Sequence, residues 1–231
     1  MAKNGKSPFN TVIRNFYSGG MSFLMVCLFR YNISFRLDPF SHEDANGRKR
    51  FDFNSGITAS VNYEGAAALY IAAKNIVFGK AESNGMRLTI SCRNGVNLML
   101  ERCLASNNDG QGEQMETFLC IIKGNVIIPF KFQRHLVEVK ENDRIVTKSI
   151  ESGLAAFGKT IEGYLTGIGS DLHLSKLPQD FNELDSMTQK SPNTTGRNGY
   201  QISYGNFQNT PPSNFPNTPN NYQNTPRYGQ A

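Results

Sequence analysis

From Cys27 to Leu37 the odd positions are Cys27, Phe29, Tyr31, Ile33, Phe35 and Leu37, and the even ones from Arg30 are Arg30, Asn32, Ser34 and Arg36. A period of two over this length predicts one strand with a buried face and a polar, basic face. Gly19 and Gly20 form a turn signal behind a preceding strand over Thr11–Tyr17. A further alternation runs from Arg50 to about Ser60 and places Phe51, Phe53, Ile57 and Ala59 on one parity. Asn62 is then a helix cap, with the helix running through Ala66, Ala67, Ala68, Leu69 and Ile71 to Val77 and Gly79 as its stop.

The second half repeats this order. Met86, Leu88, Ile90 and Cys92 make one apolar face, and Val96, Leu98 and Leu100 make another beyond Asn94-Gly95. A two-residue loop would mix these faces. A three-residue turn, Arg93 to Gly95 with Gly95 left-handed, pairs Ile90 with Leu98 and Leu88 with Leu100 and sets Arg87 across from Glu101 as an ion pair. Thr117–Lys123 and Val126–Gln133 form a second hairpin through Gly124-Asn125, and Pro129 marks an edge strand or a bulge. His135–Lys140 and Arg144–Ser149 fit either one more hairpin or the approach to a helix. That helix is carried by Ile150, Leu154, Phe157, Ile161, Leu165 and Ile168 at steps of three and four, ending near Gly169. The pattern predicts an α+β fold: two strands-then-helix halves forming antiparallel sheets, helices on one face and the opposite face free.

Composition separates a core, residues 1–175, from a tail, 176–231. Hydrophobic residues are only 39% and charged ones 19% of the 231, and the depression comes from the C-terminus. From Ser191 onward there is no Asp or Glu, and the only charges are Arg197 and Arg227. Such a segment cannot bury enough apolar surface to offset its ordering entropy, so disorder is expected. It carries a degenerate repeat of Asn, aromatic, Gln or Pro, Asn, Thr, Pro at Asn206–Pro211, Asn214–Pro219 and Asn221–Pro226. The aromatics read either as weak multivalent contacts for bases, replication proteins or other tails, or as part of an inert linker.

The net charge of +5 is compatible with a polyanionic partner. No apolar run reaches membrane-spanning length and the N-terminus lacks a secretory pattern, so no membrane contact is expected. The four cysteines sit in apolar strand patterns, as reduced core thiols would. Gly153–Thr160 satisfies the phosphate-loop pattern GxxxxGK[ST], yet Leu154 and Phe157 lie on the apolar stripe of the proposed helix, so a helix and not a loop is expected. His42, His135 and His173 fall in no metal-ligand or nucleophile spacing. No cofactor motif and no catalytic set is recognisable, and a non-catalytic protein is the expectation.

Cations and rings interleave at Arg48-Lys49-Arg50-Phe51-Asp52-Phe53 and Phe130-Lys131-Phe132-Gln133-Arg134. A single strand needs cations for its phosphates and flat rings for its unstacked bases. The candidate nucleic-acid-binding residues are Arg30, Arg36, Arg48, Lys49, Arg50, Arg93, Lys131, Phe132 and Arg134, with Phe132 taken as an exposed ring and Phe51 as a core ring. The doubled layout, the free polar sheet face and the tail together resemble the Whirly and Pur-type single-stranded DNA-binding fold and the single-stranded DNA-binding proteins of crAss-like bacteriophages. Where Whirly proteins carry a basic KGKAAL motif, this chain has Glu64-Gly65-Ala66-Ala67-Ala68-Leu69. The resemblance implies a protein that coats single-stranded DNA in phage replication or recombination, in the cytoplasm of the bacterial host, as a dimer or larger assembly. RNA binding and a virion structural or assembly role remain the alternatives.

Overall fold

The computed structural model describes residues 11–17, 21–29, 32–80, 85–106, 113–171, 177–189 and 202–206. Antiparallel sheets dominate, with a few helices, as an α+β chain requires. The first sheet runs β1 (Thr11–Tyr17), β2 (Ser22–Phe29), β3 (Asn32–Glu43) and β4 (Lys49–Phe51), with β5 (Ile57–Val61) also paired to β3. The single strand expected over Cys27–Leu37 is two strands, because Phe29 pairs with Asn32 and the chain reverses between them. The reversal resets the parity. Leu24, Val26 and Leu28 lie across from Leu37, Phe35 and Ile33 on the core side, while Cys27 pairs with Ser34 on the other face. Arg30 lies outside the described residues.

The strand expected from Arg50 to Ser60 is also divided. The Asp52 carboxylate accepts hydrogen bonds from the backbone N–H groups of Asn54 (2.9 Å) and Ser55 (3.3 Å) and from the Ser55 hydroxyl (2.5 Å), a side-chain turn that ends β4 before β5 begins. Beyond β5, Asn62 caps α1 (Tyr63–Val77) by accepting from the Gly65 N–H at 3.0 Å. Gly79 closes the helix at φ +63°, as its position predicts.

In the second sheet the order is β12 (Ile202–Asn206), β6 (Met86–Ser91), β7 (Val96–Ser106), β8 (Glu113–Lys123) and β9 (Val126–Lys131). The register derived from the apolar faces holds: Leu88 pairs with Leu100, Ile90 with Leu98, Arg87 with Glu101, and Gly95 is left-handed at φ +67°. Pro129 stands on β9, an edge of this sheet. The segment from His135 to Ile150 is a hairpin, β10 (His135–Glu141) and β11 (Arg144–Ile150), turning through Asn142 and Asp143, both with positive φ.

Both sheets contribute to one core. Ile33, Phe35, Leu37 and Val61 from the first and Leu88, Leu98, Leu119 and Phe130 from the second enclose α1, whose Ala66–Leu69 and Ile71–Ala73 are fully buried. Alanines on α1 let α2 (Ser152–Asp171) come close. A Cβ on Gly158 of α2 would sit 3.6 Å from the Ala73 Cβ, and a Cβ on Gly153 would come within 2.8 Å of the Gln133 backbone nitrogen. Phe157 of α2 contacts the rings of Phe16 (6.2 Å between centroids), Phe35 (5.5 Å) and Phe132 (5.1 Å), joining both sheets to the helix.

Two pieces beyond residue 175 belong to this architecture. The helix α3 (Phe181–Gln189) buries Leu184 and packs Phe181 against the core beside Leu177 just upstream of it, and β12 pairs with β6 along its whole length. A short amphipathic helix and a short strand find apolar and backbone partners on the core, which composition averaged over 176–231 does not register. The remainder of the expected tail, with its repeats, lies outside the described residues. Replacing Phe157 with Ala should destabilise the fold by about 3 to 5 kcal/mol; urea unfolding that shows a loss under about 1 kcal/mol would contradict this central role.

Candidate nucleic-acid interface

Among the described residues four carboxylates are buried, Asp38, Glu101 and Glu116 on strands and Glu151 directly after β11, all at most 6% exposed. Each holds a cation. Arg36 pairs with Asp38 at 2.8 Å, Arg87 with Glu101, Lys131 with Glu116 at 2.6 Å, and Arg102 with Glu151 at 2.9 Å, where Arg134 approaches to 3.4 Å. Arg134 also donates to the Met115 carbonyl at 2.7 Å. A buried carboxylate without such a partner is strongly unfavourable. Arg36, Lys131 and Arg134, expected as phosphate contacts, are thus each engaged by a buried acid. Burial raises the Asp38 pKa, and the hydrogen bond and charge of Arg36 oppose the rise.

Phe132 also departs from expectation. It is 1% exposed, packed against Phe130 at 5.2 Å and under Phe157. The Phe132 N–H still donates to the Thr117 carbonyl at 3.0 Å, so β9 keeps its alternation past its last strand residue and turns Phe132 to the same side as the buried Phe130.

Rings and cations do meet at the end of β3. Phe40 pairs with Phe51, His42 with Arg50 and Glu43 with Lys49. Asp44 and Gly47 form the turn: the Gly47 N–H donates to the Asp44 carbonyl at 2.9 Å, and Gly47 has φ +71°. The Asp44 carboxylate accepts from the N–H groups of Arg48 and Asn46, both at 2.9 Å, and from the Arg50 guanidinium at 2.7 Å. The backbone hydrogen bond from Arg48 is the main cause holding the Asp44 pKa below its ordinary value. Arg48, Lys49 and Arg50 are exposed.

Four phenylalanines gather beside them. Phe23 contacts Phe51 at 5.7 Å and Phe53 at 6.1 Å, and Phe40 contacts Phe51 at 6.4 Å. Phe23 lies across from Asp38, on the opposite face of the sheet from Leu24 and Leu37, so the cluster stands on the face turned away from the helix-covered core, where Phe23 itself is buried. Phe51 is half-buried within it instead of in the helix-covered core, and Phe53 is 56% exposed. Arg36 reaches this group by donating from its Nη2 to the Phe53 carbonyl at 2.5 Å. Phe40 and Phe53 were not predicted as contacts. The signal for Phe53 is Asp52 followed by Asn54-Ser55-Gly56, a turn sequence that breaks the parity on which Phe53 would be buried. Arg93 is exposed on the turn between β6 and β7, in the other sheet.

The phosphate-loop pattern, Gly153–Thr160, is helical throughout, and Lys159 pairs with Glu162 at 2.6 Å. Its two glycines serve close packing. Burial pushes the Cys92 and Cys103 thiols up to about 11 and Cys120 to about 12, so these cysteines are protonated at neutral pH. No described helix is long and apolar enough to cross a membrane. No family model, curated protein or solved structure matches the chain.

The aspartates around the rings should titrate apart. Asp38 should lie above the ordinary value of about 3.9 and Asp52, held down by the Ser55 hydroxyl and the Asn54 N–H, below it. As pH falls, Asp38 protonates first, a change that favours the fold because burial penalises its charge. The stabilisation from the Asp52 turn persists until pH passes through the lowered Asp52 pKa. Carboxyl carbon shifts followed by NMR check this; a common midpoint for both groups would contradict it.

Proposed function

We propose that this is a non-catalytic protein that binds single-stranded nucleic acid, coating single-stranded DNA during phage replication or recombination in the host cytoplasm. The reading is carried by one observation: an exposed ring, Phe53, backed by the half-buried Phe51 and Phe40 and the buried Phe23, and accompanied on the same strand end by Arg48, Lys49 and Arg50. Stacking on an exposed ring holds any base, and adjacent cations hold the phosphates without regard to sequence. The order of five strands then a helix, followed by six strands then a helix, supports the resemblance to Whirly and Pur-type proteins. RNA offers the same phosphates and bases, and titration with both polymers separates them.

A second reading, a virion structural or assembly protein, is favoured by the apolar β10–β11 hairpin, where Leu136 is 76% and Ile145 73% exposed. Stoichiometric recovery in purified virions together with no binding to oligonucleotides would establish it instead.

Fluorescence anisotropy with a labelled single strand, its duplex and the matching RNA tests the first reading. Tight single-strand binding is expected, and equal, weak binding to every polymer would overturn it. Replacing Arg48, Lys49 and Arg50 together with Ala should flatten the salt dependence by about 2 units of slope, at about 0.7 per phosphate contact on a single strand. Phe53→Ala should cost about 1 to 3 kcal/mol of affinity with little change in melting temperature, since the ring is mostly outside the core. Unchanged affinity in both variants would remove this patch as the site.

A further inference from the structure

The hairpin of β10 and β11 forms a two-stranded sheet of its own, and none of its residues is buried. Its root, by contrast, is fixed. Glu151, directly after β11, is held by Arg102 and Arg134; the Gly153 N–H donates to the Gln133 carbonyl at 3.0 Å; and His135 Nδ1 is hydrogen-bonded to the Ser152 hydroxyl. Among the described residues, the hairpin is an arm with no strand paired to either edge and a firm base. Its charge argues against nucleic acid as partner: Lys140, Arg144 and Lys148 are matched by Glu138, Glu141 and Asp143, whereas a phosphate backbone selects an excess of cations. Exposed apolar side chains on neutral, open strands fit another strand of protein.

The two edges differ. β11 carries only cations, Arg144 and Lys148, so two copies of it would meet with like charges. β10 carries both signs, Glu138, Lys140 and Glu141. Glu141 and Arg144 flank the two-residue turn as a hydrogen-bonded pair, so the backbone groups of Leu136, Glu138 and Lys140 point away from β11. We propose that β10 pairs antiparallel with β10 of a second copy of this chain, about a two-fold axis at Val139. This register sets Glu138 across from the partner's Lys140, and Lys140 across from the partner's Glu138. It also aligns Val146, Val139, the partner's Val139 and the partner's Val146 in one apolar row, since Val139 and Val146 are already opposite each other. Two short strands make a small contact, so dissociation near micromolar concentration is expected.

The inference does not depend on nucleic-acid binding, and its test contains no nucleic acid. Sedimentation equilibrium of the full chain, from about 1 to 100 μM, should show the mass rising toward twice 25.7 kDa. Glu138→Lys and Lys140→Glu should each weaken the dimer about tenfold or more by creating like-charge pairs, and the double exchange should restore it to within about threefold. Both positions are exposed, so melting temperatures should stay unchanged. A wild-type chain that remains at monomer mass would overturn the proposal. So would single variants as tight as wild type, or a double variant as weak as the singles.

Discussion

A carboxylate taken out of water calls for a cation, and four are buried among the described residues of this protein. The pairs Asp38–Arg36, Glu101–Arg87, Glu116–Lys131 and Glu151–Arg102 fix which basic residues the fold itself engages. Removing one partner from a buried pair typically costs about 3 to 5 kcal/mol, because the remaining charge stays buried. Loss of binding on mutating Arg36 or Arg134 would thus report damage to the fold as readily as damage to an interface. Among the described residues, the exposed cations on turns and strand ends include Arg48, Lys49, Arg50 with its partly buried Asp44 partner, and Arg93.

The same pairs give the molecule its rigid points. Arg36 joins the buried Asp38 to the Phe53 carbonyl, so the outermost ring of the aromatic cluster is tied to the middle of the first sheet. Gly56 lies so close to Asp38 that a Cβ there would fall 1.8 Å from its Oδ1, which ties the loop after Phe53 to the same acid. At the other end, Glu151 anchors the root of the β10–β11 arm through Arg102 and Arg134. Buried charge thus connects the core to two exposed apolar features, one bordered by cations and one electrically neutral. That difference in charge is why they suit different partners.

Local rules made much of this architecture legible. Alternation and turn chemistry gave the β6–β7 register, the Arg87–Glu101 pair, the left-handed Gly95 and the capped α1, since each depends on neighbours within a few residues. They failed where a reversal hid inside an unbroken pattern: apolar residues continue at every second position from Cys27 to Leu37, and the turn between Phe29 and Asn32 leaves no gap in that parity. The candidate site was legible by residue type but not by role. Arg36, Lys131 and Phe132 have the composition of a binding face, and only tertiary contacts show that Asp38 and Glu116 engage the two cations and that the core encloses the ring beneath Phe157. Phe53 was hidden because the Asp52 turn, not the strand, sets its direction.

The claim that Phe53 and its neighbours hold bases is open to a direct chemical reading. Ultraviolet cross-linking of the full chain to an oligothymidine, followed by peptide mass spectrometry, captures rings in van der Waals contact with bases irrespective of affinity. Cross-links are expected within residues 40–53, at Phe53 foremost, and none at Phe132, which the core encloses. Cross-links confined to peptides outside that segment, with Phe53 unmodified, would contradict it.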